Sequence, residues 1–339
     1  MPPRTIDDRR WVLASCLWQH KVVAREAQHL SLDLRNVTKR YAPDAPNAVD
    51  GIDLAVSHGE IFGLLGPNGA GKTTTIGIAT TRVRPSAGTV IVTGVDVRAR
   101  PAVAKRHIGV VTQFNTLDRA CTVEENLYFH GRFFGMSRRT AHTRAASLLT
   151  SFGMRDRGRT MVAELSGGLA RRTQLACALM HHPDVLFLDE PTTGLDPQSR
   201  IALWESVRSL REAEGMAVVL TTHYIEEADA LCDRVAVMNN GKILVCDTPE
   251  QIKRDSGDGV LVTLRLREAS PALVAQLRAL EGVDAVDPDH DVIRVHVTGA
   301  DGIVPHVVAL AGADLRDLAI AEPSLETAFI ALTGRALVP

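Results

Sequence analysis

No run of about 18 apolar residues occurs anywhere in this chain, so nothing in it has the length of a membrane-spanning helix. An excess of either charge is also missing. Lys and Arg number 38 against 40 Asp and Glu, a formal net charge of -2. That balance leaves no global field to recruit nucleic acid or an anionic membrane surface. The five cysteines, Cys16, Cys121, Cys177, Cys232 and Cys246, show no C-x-x-C spacing, and three lie inside apolar helical or strand-like runs. This pattern predicts reduced core or near-core thiols of a cytosolic protein rather than a disulfide framework or a metal site. Sustained heptads and a second phosphate loop are absent as well.

What is present is an ordinary globular mixture, 45% hydrophobic and 23% charged over 339 residues, enough for two or three domains. Residues 1–30 read as an N-terminal extension, a short surface helix or a disordered leader. Arg9-Arg10-Trp11-Val12-Leu13 has a trace of a twin-arginine signal. The apolar stretch behind it ends at Gln19-His20-Lys21, too short for a signal core, and no small-residue cleavage site follows. Val22 or Val23 offers an alternative start.

Residues 31–56 alternate apolar and polar, which predicts antiparallel strands. Glu60-Ile61-Phe62-Gly63-Leu64-Leu65 reads as a buried strand, followed by a helix from about Thr73. From about 113 to 180 the pattern turns helical, with Thr122-Val123-Glu124-Glu125 as a capping box. Buried strands recur at Val185–Asp189 and Met216–Thr222, separated by a helix from Pro197 to Glu214 that Gly215 stops. Alternating strands and helices imply an α/β fold with a parallel sheet covered on both faces. A hairpin is expected at Asn240-Gly241. Composition shifts around Asp255–Gly259, which sets a domain boundary at 255/256. Beyond it, residues 256–339 read β-α-β-β-α-β, a small ferredoxin-like α+β module, with a last helix from Ser324 to Leu332. That module carries no cluster of chemically active residues, so binding or regulation suits it better than catalysis.

The chemistry concentrates in the first part. Gly66-Pro67-Asn68-Gly69-Ala70-Gly71-Lys72-Thr73, with Thr74 next, matches G-x-x-x-x-G-K-[ST] between an apolar strand and a helix. Glycines let backbone N–H groups turn inward around phosphate oxygens, and the helix N-terminus adds its dipole. Lys72 would reach the β- and γ-phosphates, and the Thr73 hydroxyl would bind Mg2+. Asp189 and Glu190 end the strand VLFLD, where ligands of such sheets lie. Asp189 suits the Mg2+ shell, and Glu190, one residue farther out, suits activation of an attacking water. Ser166-Gly167-Gly168 opens another helical pattern and forms a second candidate anion site, far from the first in sequence.

Over Leu32 to about Lys253 the chain resembles the ATPase subunit of ABC (ATP-binding cassette) transporters, with every family motif in order. The resemblance implies a P-loop NTPase (RecA-like) core with an antiparallel β subdomain and an α-helical subdomain. It implies ATP and Mg2+ as ligands and ATP hydrolysis as the activity. Tyr41 lies where the family stacks an aromatic on adenine. Gln113 matches the glutamine that joins Mg2+ to the membrane-partner interface. Leu165-Ser166-Gly167-Gly168 matches the signature, Gly194-Leu195-Asp196-Pro197 the loop that crosses the dimer interface, and His223 the histidine at the γ-phosphate. In the family two subunits pack head to tail, so Ser166-Gly167-Gly168 of one copy would close on the nucleotide held by Lys72 of a second copy or of a related ATPase subunit. One residue departs from the usual pattern: Leu169 stands where many members carry Gln, which puts polar contacts from that position in doubt.

The tail, Glu322–Phe329, and the segments around Leu117-Asp118 and Thr122–Leu127 resemble drug- and antibiotic-resistance exporter ATPases that serve an ABC-2-type transmembrane permease. The implied place is the cytoplasmic face of the cell membrane. An exporter ATPase for a lipid or glycan is the alternative. A soluble relative acting on nucleic acid or ribosomes would be expected to carry a coiled-coil insertion, zinc cysteines or two cassettes. A binding-only switch would be expected to lack Glu190 or His223.

Overall fold

The fold was obtained as a computed structural model, which describes residues 30–255, 259–267, 270–298, 300–321 and 324–333. The N-terminal readings, Cys16 and the Glu322-Pro323 part of the tail motif lie outside the described residues. The chain divides into two compact units between Cys246 and Asp247.

In the first unit, β1 (Leu30–Lys39), β2 (Val49–Ser57), β4 (Ala87–Val92) and β5 (Val95–Asp96) form an antiparallel sheet in the order β2-β1-β4-β5. A second sheet takes β3 (Ile61–Leu65), β6 (Ile108–Val111), β7 (Val185–Asp189), β8 (Ala217–Thr222), β9 (Arg234–Asn239) and β10 (Lys242–Asp247), in the order β10-β9-β3-β8-β7-β6. β3 runs parallel to β8 and β9, and β7 runs parallel to β6 and β8. Every residue of β3, β7 and β8 is buried, the signature of strands covered on both faces. Phe62, Leu64, Phe187 and Val219 of this sheet share one core with Leu32, Leu34, Leu54 and Val90 of the antiparallel sheet. Ile76 and Ile78 join that core from α1 (Lys72–Ala79), the helix that follows the phosphate loop. Three of the cysteines, Cys177, Cys232 and Cys246, are buried, and burial pushes the Cys177 thiol up to about 12.

After the short α2 (Pro101–Ala104), the helical region holds α3 (Val123–Phe133), α4 (Arg138–Ser151) and α5 (Gly167–Ala178). The capping box forms as expected: the Thr122 hydroxyl accepts from the Glu125 amide, and the Glu125 carboxylate accepts from the Thr122 amide. The helical region expected from about 113 begins with ten residues that are not helix. Residues 113–122 run as a loop because their polar side chains satisfy the backbone locally. The Asn115 side chain accepts from the Leu117 amide, and the Asp118 carboxylate accepts from the Ala120 amide. This leaves Gln113 on a loop directly after a sheet strand. Farther along, α6 (Pro197–Glu214) ends at Gly215, whose φ of 66° is left-handed, and α7 (Ile225–Leu231) follows β8.

In the second unit, β11 (Gly259–Leu266), β12 (Val283–Asp289), β13 (Val292–Thr298) and β14 (Leu315–Ala321) form an antiparallel sheet in the order β12-β13-β11-β14. With α9 (Pro271–Arg278) and α10 (Ala300–Ala311) this is the expected ferredoxin-like order, the first and third strands adjacent at the centre. Val262, Leu264, Ile293, Val295, Leu277 and Val307 make its core. α8 (Pro249–Asp255), on the near side of the compositional shift, packs on α11 (Leu325–Thr333), which the Ser324 hydroxyl caps by accepting from the Thr327 amide. That packing draws residues 249–255 into the second unit.

His130 on α3 packs beside His181 and Phe134, with ring centroids 5.7 and 5.1 Å away. Its Nε2 is buried without a hydrogen bond among the described residues. Burial, with His181 nearby, pushes its imidazole down to about 4. The unfolded chain therefore takes up this proton first. Stability is full above the ordinary histidine value of about 6.5 and falls as pH drops toward about 4, by on the order of 2–3 kcal/mol. Urea midpoints measured from pH 7 to pH 4 should show this slope, and His130→Leu should flatten it. An unchanged slope in the variant would assign the acid sensitivity to other groups.

Candidate functional site

The site forms where β3 and β7 end and α1 begins. Glycine is obligatory at two points of the loop. A Cβ on Gly66 would lie 2.3 Å from the Met238 carbonyl oxygen. One on Gly71 would lie 2.4 Å from that of Ala48, at a φ of 107° that side chains rarely adopt. Residues 67–74, with Ala48 and Glu190, line one cleft. Lys72 points into it only 4% exposed, its Nζ donating to the carbonyls of Gly66 at 2.6 Å and Pro67 at 3.1 Å. Desolvation pulls its pKa down, while the carboxylates of Glu190, 3.7 Å away, and Asp189 oppose the shift. Tyr41 is 62% exposed, and its hydroxyl lies 3.3 Å from the Thr74 hydroxyl, which sets an open aromatic face at the rim.

The two acids at the end of β7 take different surroundings. Asp189 Oδ1 accepts from the Thr221 hydroxyl at 2.8 Å and from the Thr73 hydroxyl at 3.2 Å. Glu190 adopts a φ of 46°, left-handed for a residue with a Cβ. Such a conformation costs about 1–3 kcal/mol and persists only where neighbours over-determine it. They do so here. The Glu190 amide donates to Oγ1 of Thr221 at 2.9 Å and to its carbonyl oxygen at 3.2 Å. Glu190 Oε2 accepts from Gln113 Nε2 at 3.3 Å and from the Thr193 hydroxyl at 3.2 Å. His223 Nδ1 lies 3.5 Å from the same oxygen, buried and without a hydrogen bond among the described residues. Strand pairing thus gathers Lys72, Thr73, Gln113, Asp189, Glu190 and His223 from four separate segments.

Ser166, Gly167, Gly168 and Asp196 do not join this cluster. Ser166 caps α5, its hydroxyl 3.5 Å from the Leu169 amide. Ser166, Gly168 and Leu169 line a second recess together with Leu195 and Ser199. Asp196 caps α6 by accepting from the Ser199 amide at 3.0 Å and its hydroxyl at 2.6 Å. Those bonds, the hydroxyl's first, hold its carboxyl below the usual range. The chain therefore carries two separate candidate anion-binding elements, one rich in acids and one built from a helix N-terminus.

Sequence reasoning passed over Thr221, Thr193 and Arg171. Arg171 lies on the buried face of α5, one turn before Gln174 and Leu175. A charged residue one turn ahead of the apolar run Leu175–Leu179 was a weak signal, because Arg172 beside it offers the same charge. Thr221 carried none, because Thr is common in strands.

The ABC transporter family matches residues 49–193. The doxorubicin resistance ATP-binding protein DrrA of Mycobacterium tuberculosis is 40% identical over 314 residues, which cover 90% of this chain and 94% of that protein. The linearmycin resistance ATP-binding protein LnrL of Bacillus subtilis is 36% identical, over 90% of this chain and 99% of that protein. The Nod factor export ATP-binding protein I of Burkholderia lata is 46% identical over 65% of this chain and 72% of its own. Among solved structures, cbiO1 of Clostridium perfringens, part of the ABC transporter complex cbiONQ, is similar at a TM-score of 0.62 and 26% identity, over 66% of this chain and 90% of that one. A dimeric ATP-binding cassette bound to ADP and Pi in a post-hydrolysis state is similar at 0.59 and 26% identity, over 64% of this chain and 98% of that one.

The Thr221 hydroxyl serves both acids at once, donating to Asp189 and accepting from the Glu190 amide. Thr221→Val keeps the shape and removes both bonds. The expected cost is about 1–3 kcal/mol, read as a lower denaturant midpoint, with Thr221→Ser recovering most of it. A valine variant as stable as the wild type would mean that Thr221 does not hold the pair.

Proposed function

This chain belongs to the ABC transporter ATPase family, and from that premise we propose that it powers export of a drug-like or hydrophobic compound through a separate ABC-2-type membrane subunit. It is an ATPase whose hydrolysis is coupled to transport. The observation that carries the mechanism is the convergence of Lys72, Thr73, Asp189, Glu190, Gln113 and His223 at one strand end.

ATP would lie with its phosphates over residues 66–74 and its adenine against Tyr41. The Lys72 ammonium and the N-terminus of α1 offset the β/γ-phosphate charge. Glu190 takes the proton of the attacking water as the water oxygen bonds the γ-phosphorus and the bond from that phosphorus to the β–γ bridging oxygen breaks, leaving ADP. His223, whose Nδ1 lies 3.5 Å from Glu190 Oε2, would stand beside the γ-phosphate, and Gln113 and Thr193 hold the carboxylate meanwhile. Thr73 and Asp189, 3.2 Å apart, would hold a hard divalent cation, and the side-chain carbonyl of Gln113 would complete the oxygen donors. Bound there, Mg2+ would neutralise phosphate oxygens.

The second half-site, Ser166–Gly168, serves a second copy of the chain or a related subunit, packed head to tail. Its hydroxyl and N–H groups would meet the γ-phosphate held by the other protomer's phosphate loop. Hydrolysis removes that bridge and opens the dimer, and Gln113 with the helical region passes the motion on. Leu169 adds no polar side-chain contact; the N–H groups and Ser166 suffice. No helix among the described residues is long and apolar enough to cross a membrane, which fits a peripheral subunit on the cytoplasmic face. An exporter of a lipid or glycan is the second reading, favoured by the Nod factor relative. The resistance proteins support drug export more strongly, since their matches cover 90% of the chain and so extend past the first unit.

Glu190→Gln should bind ATP as tightly as the wild type and hydrolyse it at least ~10²-fold more slowly. Near-normal turnover would remove Glu190 as the base. Export itself is tested by affinity purification from detergent-solubilised native membranes. A stoichiometric multi-helix membrane protein is the expected companion; recovery only from the soluble fraction, with ribosomal or DNA-repair partners, would overturn the exporter reading.

A further inference from the structure

Arg171 has no place in the mechanism above, yet it is among the most completely bonded side chains of the first unit. It is 7% exposed on α5, the helix that Ser166 caps. Its Nε donates to the Pro191 carbonyl at 2.8 Å. Its Nη1 donates to the Thr112 carbonyl at 2.5 Å and to Gln174 Oε1 at 3.1 Å. Its Nη2 donates to the carbonyls of Glu190 at 3.1 Å and Asp189 at 3.3 Å. A guanidinium has five N–H donors, and all five are engaged.

The acceptors are not scattered. Asp189, Glu190 and Pro191 are consecutive and enclose the left-handed turn at Glu190. Thr112 precedes Gln113, whose amide holds the Glu190 carboxylate. Gln174, bonded to Arg171, also donates to the Phe114 carbonyl at 3.0 Å, so that loop is held on both sides of Gln113. Burial pulls the Arg171 pKa to about 10, which still leaves the group charged at neutral pH.

We propose that Arg171 is a positioning residue for hydrolysis: it fastens the signature helix to the backbone of Glu190 and of the Gln113 loop, and so sets where the Glu190 carboxylate stands. This rests on the reading of Glu190 as the base. The backbone at Glu190 is strained, and two clamps oppose its relaxation: Thr221 on its amide and Arg171 on its carbonyl. Because the same guanidinium sits five residues into the helix that opens with the signature, a shift of Ser166–Gly168 toward a phosphate is transmitted to Glu190 without any intervening loop. A lysine cannot substitute. Its ammonium has three donors at one point and cannot span five acceptors on three segments.

The test compares Arg171→Lys with the full-length wild type, with Arg171→Met as a second variant that keeps volume and drops charge. ATP binding is measured at equilibrium, turnover at saturating ATP, and backbone amide exchange without nucleotide. Both variants should bind ATP within about threefold of the wild type and lose ~10- to 10²-fold in kcat, the scale of a misplaced catalytic group. Exchange should speed up at 112–115 and 189–193 and stay unchanged at 261–266 in the second unit. Wild-type kcat in Arg171→Lys, or wild-type exchange at both segments, would overturn the proposal. A general loss of protection across the first unit would also overturn it, by making Arg171 a fold residue only. Should the wild type itself fail to hydrolyse ATP, the base reading fails, and the exchange comparison still decides whether Arg171 holds these segments.

Discussion

Two carboxylates and two cations are buried together at the end of β7, and the first unit is organised around keeping them there. Asp189, Glu190, Lys72 and Arg171 are each under 10% exposed. A buried charge without partners costs several kcal/mol, and a half-satisfied cluster is worse than none. Every segment that reaches this point therefore brings a compensating group. The phosphate loop brings Lys72 and its own carbonyls, β8 brings Thr221, the loop after β6 brings Gln113, and α5 brings Arg171. The parallel sheet is what lets segments more than a hundred residues apart in sequence end side by side.

The motif residues were legible in the sequence because each lies in a short linear pattern whose physics is local. A glycine loop between strand and helix, an acid pair closing an apolar run and a capping serine need no tertiary knowledge. The strand order of the second unit was legible for a similar reason, since β-α-β-β-α-β leaves few ways to pair four strands. Arg171 and Thr221 were not legible as site residues. Arg171 bonds mainly to carbonyls of distant segments, and Thr221 meets the Asp189 carboxylate and the Glu190 amide across the sheet, pairings that leave no mark in a sequence. The left-handed turn at Glu190 was hidden too, because nothing in the residue type asks for it. The helical pattern from about 113 does not mark the loop at 113–122, where the local bonds of Asn115 and Asp118 keep the chain out of helix until the cap at Thr122.

The two half-sites explain why one chain carries two anion-binding elements. In the proposed mechanism the acidic half holds the nucleotide and the water-activating group. The signature half has helix N–H groups and a hydroxyl but no acid, base or cation of the other cluster. In that mechanism neither half encloses a γ-phosphate on its own. On this account the phosphate is the shared part that makes two chains one enzyme, and its loss is the mechanical event.

That central claim is tested most directly by sedimentation of Glu190→Gln with Mg2+ and ATP, without nucleotide, and with ADP. The account predicts twice the monomer mass with ATP alone, and a monomer in all three conditions when Lys72→Ala or Ser166→Arg is added. A mass independent of nucleotide, or a dimer that forms as well with Ser166→Arg, would contradict the sharing of one phosphate between two half-sites.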